Sequence, residues 1–199
     1  PWDLIPENGR ALVTPIYAGT FERGGKTRSR FMKKSFFQRF YAYLNDVRRT
    51  IDYLETRKDI NTENIIFLGL CWGGIMGPIV ASYEDRIKGL VLVSGGIIKP
   101  VTRPKPKGLV EPFVTIPVLM LNGKYDYVFP VKTLQKAMFD LIGTPPEHKK
   151  HVIYEAGHLP LPRAPMMKEI FAWLDKYQGP VDCGGNAGKV ASVALTGLK

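Results

Sequence analysis

Short apolar runs alternate with amphipathic stretches along most of this chain. The apolar runs have the length of buried strands, and they cover residues 11–17, 65–70, 89–94, 117–122 and 151–154. Helices are predicted at residues 35–57, 72–83, 131–142 and 163–177. In the first of these, Phe40, Leu44 and Val47 recur every three or four residues and form one apolar stripe. This alternation predicts a mostly parallel sheet of about five strands flanked by helices.

Two segments interrupt the alternation of strands and helices. Residues 99–112 are rich in proline and lysine, which prevents regular structure and leaves little room for a helical lid. Beyond Gly179 the chain is first rich in glycine and then small and apolar. We therefore expect one domain at residues 1–180, with an uncovered site, and a flexible C-terminal extension at residues 181–199.

Length and composition limit the classes of protein to which the chain can belong. Its 199 residues, 45% of them hydrophobic, suffice for one domain with a sizeable core. No stretch reaches the ~18 consecutive apolar residues of a membrane span, and Cys71 and Cys183 do not resemble a disulfide framework or a metal site. We expect a soluble, cytoplasmic protein that uses no metal, cofactor or membrane.

Positive charge is concentrated in one part of the sequence. The formal net charge is +10, from 28 basic and 18 acidic residues. One basic cluster is made up of Arg23, Lys26, Arg28, Arg30, Lys33, Lys34 and Arg39. Such a cluster can attract nucleic acid or acidic substrates, but no nucleic-acid-binding motif accompanies it. We expect a solvated loop and helix start here, and no nucleic acid partner.

A cysteine framed by glycines follows one of the predicted strands. The segment reads Gly69-Leu70-Cys71-Trp72-Gly73-Gly74. In a nucleophile elbow a buried strand turns sharply into a helix, and small flanking residues let the backbone pack closely around the exposed nucleophile. A lone cysteine is more often a small buried hydrophobe, so the prediction of a nucleophile depends on this frame.

An acid and a base follow two later strands. Asp126 ends the segment Gly123-Lys124-Tyr125-Asp126, and His158 follows Gly157. Alone, Asp126 could cap a helix, and His158 could be an ordinary loop histidine. Together with Cys71, however, they lie at the carboxyl ends of strands, where parallel sheets place their ligand crevices. We predict that Cys71 attacks, His158 transfers protons and Asp126 orients the imidazole.

The same segments suggest how a negatively charged intermediate is stabilised. Cys71 lies at the start of the predicted helix, whose N-terminus favours a thiolate. The backbone N–H of Trp72 is the expected first oxyanion donor. A second donor has no clear source, and the loop with Tyr17 and Ala18 is the nearest substitute.

These motifs resemble those of one family of α/β-hydrolases. The segments at residues 69–74, 123–130 and 157–158, with the order nucleophile, acid and histidine, make the chain similar to the dienelactone hydrolase and acetyl-esterase-like group over roughly residues 9–180. The resemblance implies a carboxylic-ester or lactone hydrolase with a Cys, Asp and His triad. The chain also resembles hydrolase domains attached to bacterial serine/threonine kinases, in which serine occupies the elbow.

The resemblance also shows what this chain lacks. The family's first three strands have no counterpart, and its third strand normally lies between those matching residues 11–17 and 65–70. Either these two strands pair directly in a reduced fold, or a partner chain completes the sheet in a homodimer. We find no counterpart of the acidic group and arginines with which some relatives bind a carboxylate substrate.

The sequence is therefore compatible with three functions. The first is hydrolysis of a small-molecule ester through an acyl-thioester intermediate. The second is a serine esterase or peptidase relative in which Cys71 has replaced the nucleophile. The third is a non-catalytic binding or assembly module that retains the fold.

Overall fold

The computed structural model describes residues 2–24, 35–97, 113–181 and 191–197, with the backbone alone at residues 36–37 and 191–197. The strands are β1 Ala11–Val13, β2 Ile60–Leu70, β3 Ile87–Val93, β4 Val118–Gly123, β5 Lys149–Tyr154 and β6 Ala191–Gly197. The α-helices are α1 Leu4–Glu7, α2 Phe36–Glu55, α3 Trp72–Ala81, α4 Lys136–Leu141 and α5 Arg163–Gln178.

All six strands form one parallel sheet in the order β1-β6-β2-β3-β4-β5. The mostly parallel sheet was predicted, but it has one strand more than the five expected. The additional strand, β6, lies between β1 and β2, where Val13 pairs with Leu195 and Gly69 pairs with Gly197. Direct pairing of β1 with β2 is therefore wrong, and residues 191–197, assigned to a flexible extension, form part of the sheet.

Helices cover both faces of the sheet, and successive residues of each strand point to opposite faces. Phe67 of β2 packs in the same core cluster as Leu44 of α2 and Met76 of α3. Its neighbour Leu68 packs on the other face in a cluster with Ile170 of α5. The alternating direction of strand side chains explains this division. The central strands are apolar on both faces because both faces are covered.

Helix α2 begins and ends close to the predicted bounds. The Ser35 hydroxyl accepts from the N–H of Gln38, and the Gln38 side chain accepts from the N–H of Ser35. This reciprocal pair, a capping box, satisfies two of the N–H groups that a helix start leaves without a partner. The apolar stripe lies in the core, where Val47 and Ile51 are fully buried.

Several element bounds differ from the predictions. Strand β1 ends at Val13 because Pro15 has no N–H with which to continue a strand ladder. Strand β2 begins earlier than predicted, at Ile60. The predicted helix at residues 131–142 is a π-helical turn, Val131–Gln135, followed by α4. The predicted loop at residues 99–112, Cys183 and the basic residues from Lys26 to Lys34 lie outside the described residues.

Candidate active site

Cys71 occupies a sharp turn between β2 and α3. Its φ of 51° and ψ of −102° are unusual for a residue with a side chain, and its N–H donates to the Val93 carbonyl oxygen at 2.8 Å. A Cβ atom at Gly69 would overlap the carbonyl oxygen of Gly73, so the strand and the helix can approach this closely only with glycine there. The turn leaves Cys71 half-buried, with its thiol unpaired to any other cysteine of the described part.

His158 lies between the other two predicted residues. Its Nε2 is 3.2 Å from Cys71 Sγ, and its Nδ1 is 2.8 Å from Asp126 Oδ2. The side chain of Asp126 is 0% exposed and that of His158 is 16% exposed. The three groups therefore form a continuous path for protons, closed to solvent at the carboxylate and partly open at the imidazole.

The two oxygens of Asp126 have separate partners. Oδ1 accepts hydrogen bonds from the N–H groups of Val128 and Phe129, at 2.8 and 2.9 Å. Oδ2 is left to accept from Nδ1–H of His158. With Nδ1–H of His158 donating to this oxygen, Nε2 is directed at the thiol.

The loops after β4 and β5 are joined to each other. The N–H of Lys124 donates to Tyr154 O at 2.8 Å, and the N–H of Tyr125 donates to Ala156 O at 2.9 Å. A Cβ atom at Gly123 would overlap the carbonyl oxygen of Gly157, so only glycine permits this close approach. The acid and the base are therefore fixed relative to each other by backbone contacts.

Apolar side chains surround the pair of loops. The Phe129 ring lies 5.7 Å from the His158 ring, centroid to centroid. Tyr127, Val128 and Leu159 are exposed, Tyr127 to 85%. Tyr127 and Val128 directly follow Asp126 in the chain, and Leu159 directly follows His158.

The structure separates the three predicted oxyanion residues. Trp72 is the first residue of α3 and directly follows Cys71. The N–H of Ala18 donates to Asp46 Oδ2 at 2.8 Å. Tyr17 is buried and its ring stacks on Tyr43, with centroids 4.3 Å apart. The N–H of Ala18 is therefore occupied, whereas Trp72 stands beside the nucleophile.

Two polar residues near the triad were missed by the sequence reasoning. The hydroxyl of Ser94, a fully buried residue, donates to the carbonyl oxygen of His158 at 2.5 Å. Asn122, also fully buried, donates to Gly95 O and accepts from His151 Nε2. The only signal for them was a polar residue at the end of an apolar run, which a turn also produces.

The described residues also bear on metal binding and on membrane insertion. No cluster of three or more His, Cys, Asp or Glu side chains there has an arrangement suited to a metal ion. Within the same ranges, every helix is too short or too polar to cross a bilayer.

A parallel sheet of this order, with a sharp strand-to-helix turn at Cys71 after β2 and with Asp126 and His158 after later strands, defines an α/β-hydrolase. Within that class the family is also clear. The sequence model of the dienelactone hydrolase family matches residues 7–162, and the chain belongs to this family. No curated protein sequence matches the chain.

Solved structures with the same fold include esterases. A cold-adapted esterase from an Arctic intertidal metagenomic library, in its native form, has 22% identity and a TM-score of 0.56, covering 69% of this chain and 59% of that one. A PEG-bound cold-adapted esterase from such a library has 17% identity and a TM-score of 0.57, covering 85% and 83%. TT1662 from Thermus thermophilus has 15% identity and a TM-score of 0.64, covering 87% and 91%. This chain thus spans under two thirds of the first esterase.

Proposed function

We propose that this protein hydrolyses carboxylic esters or lactones through Cys71, His158 and Asp126, with an acyl-thioester intermediate. The observation that supports this most is the proton path, with 3.2 Å from thiol to imidazole and 2.8 Å from imidazole to carboxylate. Distances of this size suit a nucleophile activated by a base that a third group orients. Membership of the dienelactone hydrolase family and the fold shared with esterases support the same reaction class.

The first half of the reaction acylates the enzyme. His158 Nε2 takes the thiol proton, and the thiolate of Cys71 adds to the ester carbonyl to give a tetrahedral oxyanion. Collapse of this intermediate breaks the bond to the alcohol oxygen, which leaves with the proton from His158. The products are the free alcohol and an acyl group bonded to sulfur. Asp126 stabilises the imidazolium while it exists.

The second half releases the acid. A water molecule gives a proton to His158 Nε2 as its oxygen adds to the thioester carbonyl. Collapse of the second tetrahedral intermediate breaks the carbon–sulfur bond, and the carboxylic acid departs. The resulting thiolate of Cys71 and imidazolium of His158 are ready for the next substrate.

The oxyanion of both steps lies next to the start of α3. We assign one donor to the backbone N–H of Trp72, which follows the nucleophile. The partial positive charge at a helix N-terminus also stabilises the thiolate of Cys71. Because the N–H of Ala18 already donates to Asp46, we do not assign the second oxyanion donor to Ala18.

Exposed apolar residues next to the triad in the chain indicate the chemical class of the substrate. Tyr127 and Val128 follow Asp126, Leu159 follows His158, and all three side chains are exposed. A compact acyl or aryl group would bury part of this surface on binding. We therefore expect small apolar esters and lactones to be preferred over highly charged ones.

The test is turnover of p-nitrophenyl acetate, followed by intact-mass measurement of the protein. Wild type and a Cys183→Ser control should release p-nitrophenol and carry one acetyl group after rapid quenching. Cys71→Ala and His158→Ala should lose both signals. Absence of the acetyl adduct and of turnover in wild type would contradict an ester hydrolase and favour a binding or assembly module.

One further variant decides between a native thiol enzyme and a replaced serine nucleophile. Cys71→Ser should lower turnover if the site is adapted to sulfur, because an alcohol needs a stronger base than a thiol does. Higher turnover in Cys71→Ser would identify a serine-hydrolase relative instead. The dimer expected from the missing strand has lost its basis, since β6 of the same chain occupies that place.

A further inference from the structure

We propose that Ser94 is a positioning residue that sets the distance between the imidazole of His158 and the thiol of Cys71. The inference rests on the proposed function, because it concerns the proton path of the same triad. Ser94 follows β3 directly, is 0% exposed, and donates its hydroxyl hydrogen to the His158 carbonyl oxygen at 2.5 Å. It touches the backbone of the base and not its ring.

The end of β3 is bonded to both reacting residues. The carbonyl oxygen of Val93 accepts from the N–H of Cys71 at 2.8 Å. The hydroxyl of the next residue, Ser94, holds the carbonyl of His158. Two adjacent residues of one strand end therefore bind the backbones of nucleophile and base. The end of β3 therefore helps to set the distance between Cys71 Sγ and His158 Nε2.

Ser94 is itself held firmly. Its N–H donates to the carbonyl oxygen of Leu121 in β4 at 2.8 Å. Its φ is 50°, in the left-handed region that favours glycine. Glycine occupies the next two positions, Gly95 and Gly96, but not this one. A serine rather than a glycine at this strained position is explained if the Ser94 hydroxyl is needed to hold the His158 carbonyl.

The loop that follows β5 and carries His158 needs such a support at the histidine itself. Two backbone hydrogen bonds of this loop lie before the histidine: the N–H of Tyr125 donates to Ala156 O, and the N–H of Ala156 donates to Tyr154 O. The bond from Ser94 fixes the backbone at His158 itself. Without it, the carbonyl of His158 loses this hydrogen bond and the imidazole can move away from the sulfur. A displacement of about 1 Å can lower a rate about 10²-fold.

Two variants remove the hydroxyl in different backbone contexts. Ser94→Ala deletes it and keeps a side chain at positive φ, and Ser94→Gly deletes it and relieves the strain. The matched control is Thr144→Val, because the buried Thr144 hydroxyl also donates to backbone carbonyls, those of Val114 and Ile116. This control loses a comparable hydrogen bond in a part of the protein with no contact to the triad.

We expect both Ser94 variants to lower kcat for p-nitrophenyl acetate about 10- to 100-fold with KM changed less than about twofold. The rate of Cys71 alkylation by iodoacetamide at neutral pH should also fall. Thr144→Val should keep both the kcat and the alkylation rate of wild type. Equal losses in Thr144→Val, or Ser94 variants with wild-type kcat and alkylation rate, would overturn the proposal.

The alkylation measurement separates this inference from the proposed function. If His158→Ala leaves the reactivity of Cys71 unchanged, the thiol and imidazole do not act together and the proposed function fails. If His158→Ala slows alkylation and Ser94→Gly does not, the triad stands and only the role of Ser94 is refuted. Thermal midpoints of all variants should accompany the rates, and a Ser94 loss that vanishes on cooling to well below its midpoint counts against positioning.

Discussion

Asp126→Asn is the most informative single change at the triad, because each carboxylate oxygen has its own task. In the folded protein Oδ1 accepts from the N–H groups of Val128 and Phe129, while Oδ2 accepts from His158 Nδ1–H. Asparagine keeps one acceptor oxygen, and two backbone donors favour its placement on the Oδ1 side. Its amide N–H₂ then faces His158 Nδ1. Two donors cannot bond, so His158 must change tautomer and present Nε2–H to the thiol.

The expected loss follows from this change of tautomer. A triad with the wrong tautomer loses about 10⁴-fold in kcat in serine enzymes. A thiol depends less on its base than an alcohol does, so we expect a loss between about 10²- and 10⁴-fold, or about 3 to 5 kcal/mol of activation free energy. Because the loop hydrogen bonds of Oδ1 are kept, stability should change little. Asp126→Ala should lose the same activity and also about 1–3 kcal/mol of stability, because two N–H groups lose their acceptor.

The assay measures kcat with p-nitrophenyl acetate between pH 5 and 9, and unfolding in urea for each variant. Asp126→Asn should keep the urea midpoint of wild type, whereas the midpoint of Asp126→Ala should fall. An Asp126→Asn protein with more than about a tenth of wild-type kcat, in contrast to the loss usual for triads, would refute the reasoning. A fall in stability as large as that of Asp126→Ala would refute the assignment of Oδ1 to the loop.

Two other predictions concern stability. A chain shortened to end at residue 181 lacks β6, and the facing edges of β1 and β2 lose their hydrogen-bond partners. We therefore expect this variant to show a broad thermal transition and to aggregate. A sharp transition at the wild-type midpoint would contradict the sheet order. The pKa of His151 is lowered from 6.5 to about 4, first by burial and then by the charge of Lys136. Between these values the unfolded chain binds more protons, so the unfolding free energy should fall as pH decreases from 7 to 4, by about 3 kcal/mol from this residue. His151→Gln, which keeps a donor for Asn122, should lack that part of the decrease, and parallel pH curves for the two proteins would contradict it.

The convergence of Cys71, Asp126 and His158 could be predicted because each of these residues has a local signal. Cys71 stands in a glycine frame directly after an apolar run, and Gly69 cannot be replaced without overlap with the helix. Asp126 follows β4, an apolar strand that is buried throughout, and His158 follows the edge strand β5, in which only Val152, Ile153 and Tyr154 form an apolar run. Since the strands of a parallel sheet end at the same edge, residues after those strands are near one another before any coordinates are known.

The place of β6 in the sheet could not be predicted from a local signal of this kind. The sequence of residues 191–197 is small and weakly apolar, and β-propensity says only that a segment fits a sheet. Its neighbours β1 and β2 lie far away in the chain, so no local pattern connects them. Comparison with the family's strand order located the gap between residues 11–17 and 65–70, but it could not show that the chain's own end would occupy it.

The order of strands explains why the triad needs supports that sequence does not show. Cys71 follows β2, Asp126 follows β4 and His158 follows β5, so β3 and β4 lie between the strands that precede Cys71 and His158. Three strand spacings of ~4.8 Å place these strand ends about 14 Å apart. The loop after β5 must therefore return across the ends of β4 and β3 to bring His158 to Cys71. It contacts β4 through Gly123 and Gly157, and β3 through the hydroxyl of Ser94. A polar residue at the end of an intervening strand can thus support the geometry of the three residues that the motif identifies.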